Sequence, residues 1–301
     1  MAAAGSEVGN PSSYYGILAI FNVNFGGPGD SGLPPGLGQL TRTLHGTTQP
    51  YAGVVLEPWS SFPSFFTHEM GHGYGLEHSF SRVGCSGPGL YGEYCDIWDA
   101  MGFSWGGLEF SQSAYAPPAV PGWAGPGMNA FNLDKLGFIP PGRQATIDPG
   151  RGQSSTVNIT SLSAPNPDGL LTVKVPIGDD PAHYYTVEYR RQLKWDVGIQ
   201  KDGVLIHEVS PEASPDHTTP LSYVIPRSSD WADGLRSQGE WFRGQWHDSA
   251  HVVDITVRSI NPSANTATVT VSRPEPSTCC AFERPIGRDP GHPGPPLVYI
   301  D

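Results

Sequence analysis

The segment His68-Glu69-Met70-Gly71-His72-Gly73-Tyr74-Gly75-Leu76-Glu77-His78 carries three of the ten histidines of the chain. His68 and His72 are four residues apart, so on an α-helix they project from one face, one turn apart. Two residues turn a helix by about 200°, which points both imidazoles away from an apolar stripe of Phe62, Phe66, Met70 and Tyr74. That stripe is expected to pack on a sheet while the imidazoles face a cleft. Glu69 lies about 60° round from His72 and reaches the same cleft. Two imidazoles one turn apart beside a glutamate form the H-E-x-x-H pattern, in which the histidines hold zinc and the carboxylate is a general base. A tetrahedral site needs a third protein ligand. His78, six residues past His72, can swing back only if the chain turns sharply, and Gly75 stands where a left-handed residue is required. Gly71 and Gly73 each weaken the helix by up to ~1 kcal/mol relative to alanine, and close packing of the helix against a neighbour is the expected reason.

The elements around this segment can be placed in outline. Tyr14–Val23 and Tyr51–Pro58 read as strands, with a Gly/Pro-rich stretch between them. The histidine helix is expected to start near Ser61, with Pro63 in its permissive first turn. Residues 79–127 are loop-like, and a short helix follows over 129–136, with Asn129 as N-cap and Gly137 as its stop. After Gly142 the pattern changes to short alternating runs at Val157–Thr160, Leu170–Val175, Tyr184–Tyr189, Gly203–Val209, Val252–Arg258 and Thr266–Ser272. In the last, Ala267, Val269 and Val271 alternate with polar residues, the period of a half-buried strand.

The full pattern His68-Glu69-x-x-His72-x-x-Gly75-x-x-His78 resembles the zinc motif of the metzincin metallopeptidases. With "YCDIWDAMG" and the strands that follow, the chain looks most like the gametolysin-like and immune-inhibitor-A-like secreted bacterial members. The resemblance implies metal ligands His68, His72 and His78 and a catalytic base Glu69. It makes Met101, 23 residues beyond His78, the methionine of a tight Met-turn beneath the imidazoles. It also implies that the helix over 129–136 closes the catalytic domain. The expected fold is therefore α+β: a zincin (metzincin-like) catalytic domain over 1–142, reduced at its N-terminus, followed by an antiparallel β-sandwich-like domain over 143–273 and a Pro-rich tail over 274–301. The implied activity is zinc-dependent endopeptidase cleavage of protein or peptide substrates. The chain departs from the family where some members place a tyrosine two residues after the methionine, because that position is Phe103. Tyr91 and Tyr94 are the nearby phenols.

Bulk composition narrows the alternatives. A formal net charge of -12 with four lysines in 301 residues offers no basic face for nucleic acid or for an anionic membrane. No apolar run approaches the ~20 residues of a membrane-spanning helix. Cys85, Cys95, Cys279 and Cys280 allow several pairings and suit an oxidising, extracellular setting, although the first residues carry no signal-peptide pattern. Asn158-Ile159-Thr160 matches a glycosylation sequon. Asp96 and Asp99 read as turn caps, with calcium binding as the other reading. Glu93, 21 residues past His72, is the rival third zinc ligand. The alternative function is an inactive peptidase-like binding module for glycan or protein, with Trp231, Trp241 and Trp246 as its aromatic candidates. His45, His183, His207, His217, His247, His251 and His292 show no ligand spacing.

Overall fold

The computed structural model describes residues 16–20, 39–44, 46–56, 63–82, 92–102, 125–199, 202–211, 220–225 and 244–275. Three sheets organise them. The first is small: β1 (Gly16–Ile20) runs parallel to β3 (Thr47–Leu56), and β2 (Gln39–Leu44) pairs antiparallel with β3 on its other side. The histidine helix α1 (Pro63–Gly73) packs against β3.

A six-stranded sheet has the order β4-β10-β9-β8-β7-β5. Its members are β4 (Phe80–Ser81), β5 (Gln144–Thr146), β7 (Thr172–Pro176), β8 (Tyr184–Arg190), β9 (Gly203–Ser210) and β10 (Leu221–Val224). The middle of the sheet is antiparallel, while both edge strands, β4 and β5, pair in parallel. The third sheet, with order β11-β12-β13-β6, is antiparallel throughout. It comprises β6 (Gln153–Thr160), β11 (Gly244–Asp248), β12 (Val253–Asn261) and β13 (Thr266–Arg273).

One apolar core joins the second and third sheets. Val173, Val187, Val204 and Ile206 come from the six-stranded sheet, and Val253, Ile255, Val269 and Val271 from the four-stranded one. The alternation of Ala267, Val269 and Val271 places all three side chains in that core. Burying a side chain of this kind stabilises by roughly 1.5–3 kcal/mol, so this layer is the main source of cohesion among the described residues.

The expected α+β zincin-like architecture is overturned. The described residues form thirteen strands and only two α-helices, α1 of 11 residues and α2 (Ala130–Lys135) of 6, so the protein is mostly β. The reason is legible in composition: 38 glycines and 31 prolines disfavour long helices. α2 shows how closely such punctuation sets an element. Asn129 caps its start by accepting from Asn132 N at 2.9 Å, and Gly137, at φ 76°, ends it.

The segment that follows His78 enters the six-stranded sheet as β4, with Phe80 opposite Tyr223 and Ser81 opposite Val224. α2 packs on β8 of the same sheet. The histidine segment is thus tied directly to strands more than a hundred residues away in sequence. No described helix is long and apolar enough to cross a membrane.

Candidate metal centre

α1 begins at Pro63, whose fixed φ suits the first helical position. Its buried residues are Ser64, Phe65, His68, Glu69, Gly71 and Gly73. The expected burial pattern is therefore reversed in part: Phe66 and Met70 are only half-buried and Tyr74 is 46% exposed, while Phe62 lies outside the described residues. The histidine side is the covered one because the loop carrying Met101 lies against it, and helical periodicity alone cannot foresee that contact.

Gly71 records this contact. A Cβ at Gly71 would stand 2.3 Å from Met101 Sδ and 3.1 Å from its Cε, and Met101 is fully buried. Only a residue without a side chain lets the helix approach the methionine so closely. The close packing expected for Gly71 is thus found, whereas nothing among the described residues explains Gly73.

The end of α1 does two things. Leu76 N donates to Gly71 O and Gly75 N to His72 O, both at 2.9 Å, and Gly75 adopts φ 81°. This is the Schellman arrangement, closed by a left-handed glycine. The same turn brings Leu76 O to His72 Nδ1 at 2.9 Å. The stop that redirects the chain toward His78 therefore also orients the second histidine.

His68, His72 and His78 come together, each offering one ligand nitrogen, and these atoms lie within 4.8 Å of one another. His68 Nδ1 meets Ala100 O at 2.9 Å and His78 Nδ1 meets Glu93 Oε1 at 2.5 Å. A carbonyl can only accept, so His68 and His72 carry their protons on Nδ1 and present Nε2 lone pairs. Those two Nε2 atoms are 3.2 Å apart. Two lone pairs at that distance repel unless a cation sits between them. With metal–nitrogen bonds of about 2.0–2.1 Å, a tetrahedral edge is about 3.3–3.4 Å, close to the observed separation. The donor set fits a metal ion.

Burial, with His72 and His78 nearby, lowers the pKa of His68 to about 3. Burial, with His78 adding to it, lowers that of His72 to about 4. Both are neutral at pH 7 and ready to bind a cation. Glu69 is buried beside them and burial raises its pKa to about 7. Its Oε2 has no hydrogen-bond partner among the described residues, and a cation on the histidines would draw its pKa back down.

The loop beneath the site is fixed by carboxylates. Asp99 Oδ1 accepts from Met101 N at 2.5 Å, its Oδ2 accepts from Asn129 N, and Asn132 Nδ2 donates to both oxygens. Asp96 Oδ1 accepts from Trp98 N at 3.0 Å, and its Oδ2 lies 3.0 Å from His207 Nε2. Both aspartates therefore have turn-capping roles. Met101 O accepts from Ser79 N at 2.9 Å, which ties the turn to the residue after His78.

Sequence reasoning did not reach several of these partners. Glu93 sits at His78 Nδ1 rather than among the grouped ligand nitrogens. The Tyr94 ring lies 3.9 Å from that of His78, centroid to centroid. A buried ion cluster of Arg190 with Glu188 and Asp196 stands behind the loop, and Glu188 also accepts from Ala130 N. Glu188 and Arg190 are two apart on one strand and so share a face, which was the one available hint.

The other described histidines each pair with a carboxylate: His183 with Glu208, His207 with Asp96, His247 with Asp254 and His251 with Asp248. Trp246 is half-buried and meets the Tyr185 ring edge-on at 4.7 Å. Exposed Asn158 on β6 accepts from Thr268 Oγ1 at 2.7 Å. Cys95 is buried. Cys85, Cys279, Cys280, Tyr91, Phe103, Trp231, Trp241, His45, His217 and His292 lie outside the described residues.

Comparison of the chain with protein-family models, curated proteins and solved structures finds no match.

Proposed function

We propose that the chain is a zinc-dependent peptide-bond hydrolase whose metal is held by His68, His72 and His78. The observation that carries this reading is the convergence of the three imidazoles beside a buried carboxylate, Glu69, that keeps one oxygen unpartnered. Three neutral nitrogen ligands favour zinc among the common biological cations, since magnesium and calcium prefer oxygen. Bound zinc would supply Lewis-acid activation of water and of the scissile carbonyl.

The chain's own residues account for the rest. Ala100 O and Leu76 O hold His68 and His72 in the tautomer that points Nε2 inward. Glu69, next to His68 in sequence, is buried and stands outside the ligand set. Its carboxylate takes the proton from the attacking water and returns it to the departing amine, as a general base and then a general acid.

Glu69→Gln tests the proposal. The variant should bind zinc as the parent does and lose peptide hydrolysis by about 10²–10⁴-fold. Undiminished cleavage of a peptide library by the variant would remove Glu69 from the mechanism. Absence of zinc from the purified parent, measured by elemental analysis after zinc loading, would remove the metal.

A further inference from the structure

His78 is the one ligand outside the helix. Helical geometry sets His68 and His72 one turn apart, and main-chain carbonyls hold their Nδ1 atoms. His78 follows the Schellman turn in irregular chain, and its Nδ1 meets a carboxylate instead, Glu93 Oε1 at 2.5 Å. We propose that Glu93 is a positioning residue of the metal centre: it fixes the His78 tautomer, aims its Nε2 at the ion and strengthens it as a donor. This rests on the metal reading given above and not on peptide hydrolysis.

The backbone around Glu93 is shaped for the task. Consecutive residues of an extended chain point to opposite sides, so Glu93 and Tyr94 could not ordinarily face one histidine. Tyr94 takes φ 63°, a left-handed conformation uncommon for a residue with a side chain. Its ring packs on His78 at 3.9 Å between centroids, inclined by 41°, while the Glu93 carboxylate holds the ring edge. Gly92, at φ 80°, accepts from Ser81 N at 2.9 Å, and Glu93 bridges to Phe80. The turn is thereby anchored to β4, two residues past the histidine it grips.

Charge points the same way. Three neutral imidazoles leave a divalent ion uncompensated, and an ion in a largely buried site needs nearby negative charge. Glu93 is 8% exposed and supplies that charge through the histidine rather than by direct coordination. A carboxylate on the far nitrogen of a metal-bound histidine orients the ring and raises its basicity, and losing such a partner costs 10–100-fold in metal affinity.

The test titrates zinc into the full-length metal-free protein in competition with a chromophoric chelator, with the visible spectrum of the cobalt-substituted protein as a second readout. Glu93→Gln keeps the shape and an acceptor oxygen but loses the charge, and should weaken zinc about 10-fold. Glu93→Ala loses both and should weaken it about 100-fold, with a shifted cobalt band. Parental affinity and an unchanged cobalt spectrum in both variants would overturn the proposal. If Glu93→Ala does not fold, as judged by circular dichroism, Glu93→Gln decides alone. If the parent binds zinc no better than His78→Ala does, the metal reading itself fails, and this outcome is distinct from the others.

Discussion

The described residues between Pro63 and Gly102 and the paired sheets behind them are held together differently. The sheets share a core of valines and isoleucines, with Val173, Val187, Val204, Val269 and Val271 all fully buried. Around the metal centre buried polar groups, among them His68, Glu69, Ser79, Glu93, Asp96 and Asp99, are interleaved with buried apolar ones such as Leu76, Ile97, Trp98 and Met101. There, directed hydrogen bonds, a left-handed glycine and one close glycine–methionine contact add direction to the apolar packing of Ile97 and Trp98. Dispersion and burial are non-directional and tolerate small shifts, whereas a ligand set works only in one geometry. The joint between the two regions is mixed: β4 pairs with β10, Ile97 and Trp98 pack with Leu205 and Val224, and Asp96 meets His207. Its ionic part is indirect, Arg190 with Glu188 and Asp196, with Glu188 holding the start of α2, whose cap Asn129 bonds to Asp99.

Acid should separate the two regions most strongly. Folded His68 and His72 titrate at about 3 and 4, below the ordinary 6.5. As pH falls through 6.5, the unfolded chain takes up protons that the folded chain refuses, so stability falls with pH. Protons also compete with the metal for the same nitrogens. Glu69 opposes this, since its folded value of about 7 exceeds the ordinary 4.5, and the stability it contributes is lost as pH rises through 7. Asp99, raised by burial and by Asp96 to about 7, acts as Glu69 does. With two histidines against two carboxyls, the metal-free protein should change little in stability from pH 4.5 to 6.5, and Glu69→Gln should turn that into a gain. Thermal melts across this range, with bound zinc assayed in parallel, check it. Full zinc occupancy at pH 4 would contradict the expectation.

Cutting the joint should be next in size. Asp196→Ala leaves the fully buried Arg190 with a single carboxylate partner and should cost about 3–5 kcal/mol. Zinc affinity should fall with it if the joint holds the Met101 loop in place. Urea unfolding and zinc titration of the same samples show whether the two losses travel together.

Ile206→Ala, in the core, should cost about 2–5 kcal/mol. It should leave zinc affinity within about 2-fold while the protein stays folded, because the Ile206 side chain belongs to the core and not to the ligand set. A large drop in affinity would mean that the core and the site are not separable.

Gly71→Ala reverses a simple rule. In an exposed helix this change stabilises by up to ~1 kcal/mol, but here the new methyl meets Met101 Sδ. The expected result is a loss of about 1–3 kcal/mol from overpacking, relieved when Met101→Ala is added. A stabilised single variant would show that the helix–methionine contact is loose. Smallest of all, Phe138→Ser alters a side chain 68% exposed and should change stability by under about 0.5 kcal/mol, read from the same unfolding curves.

Legibility in the sequence followed the range of the cause. Each of the six alternating runs after residue 142 overlaps a strand, and four lie wholly within one, because a period of two is a local property of the chain; Leu170–Val175 and Val252–Arg258 begin before β7 and β12. The start and stop of α2 were readable for the same reason. The α+β architecture was not, since it leaned on a resemblance carried by one motif and extended it across a chain rich in helix breakers. Partners from distant segments left no trace either: β4 pairs with β10 across some 140 residues, and no periodicity reports that.

For the site, the sequence by itself determined that His68, His72 and Glu69 share one helix and that Gly75 ends it in time for His78 to return. These are consequences of helical spacing and of glycine's access to left-handed backbone. Only the tertiary structure decided that Met101 requires Gly71, that the histidine side of α1 is the buried one, and that Glu93 grips His78 instead of competing with it. Each of these depends on which distant segment lies against the helix. That is fixed by the packing of the whole chain and cannot be read from any window of it.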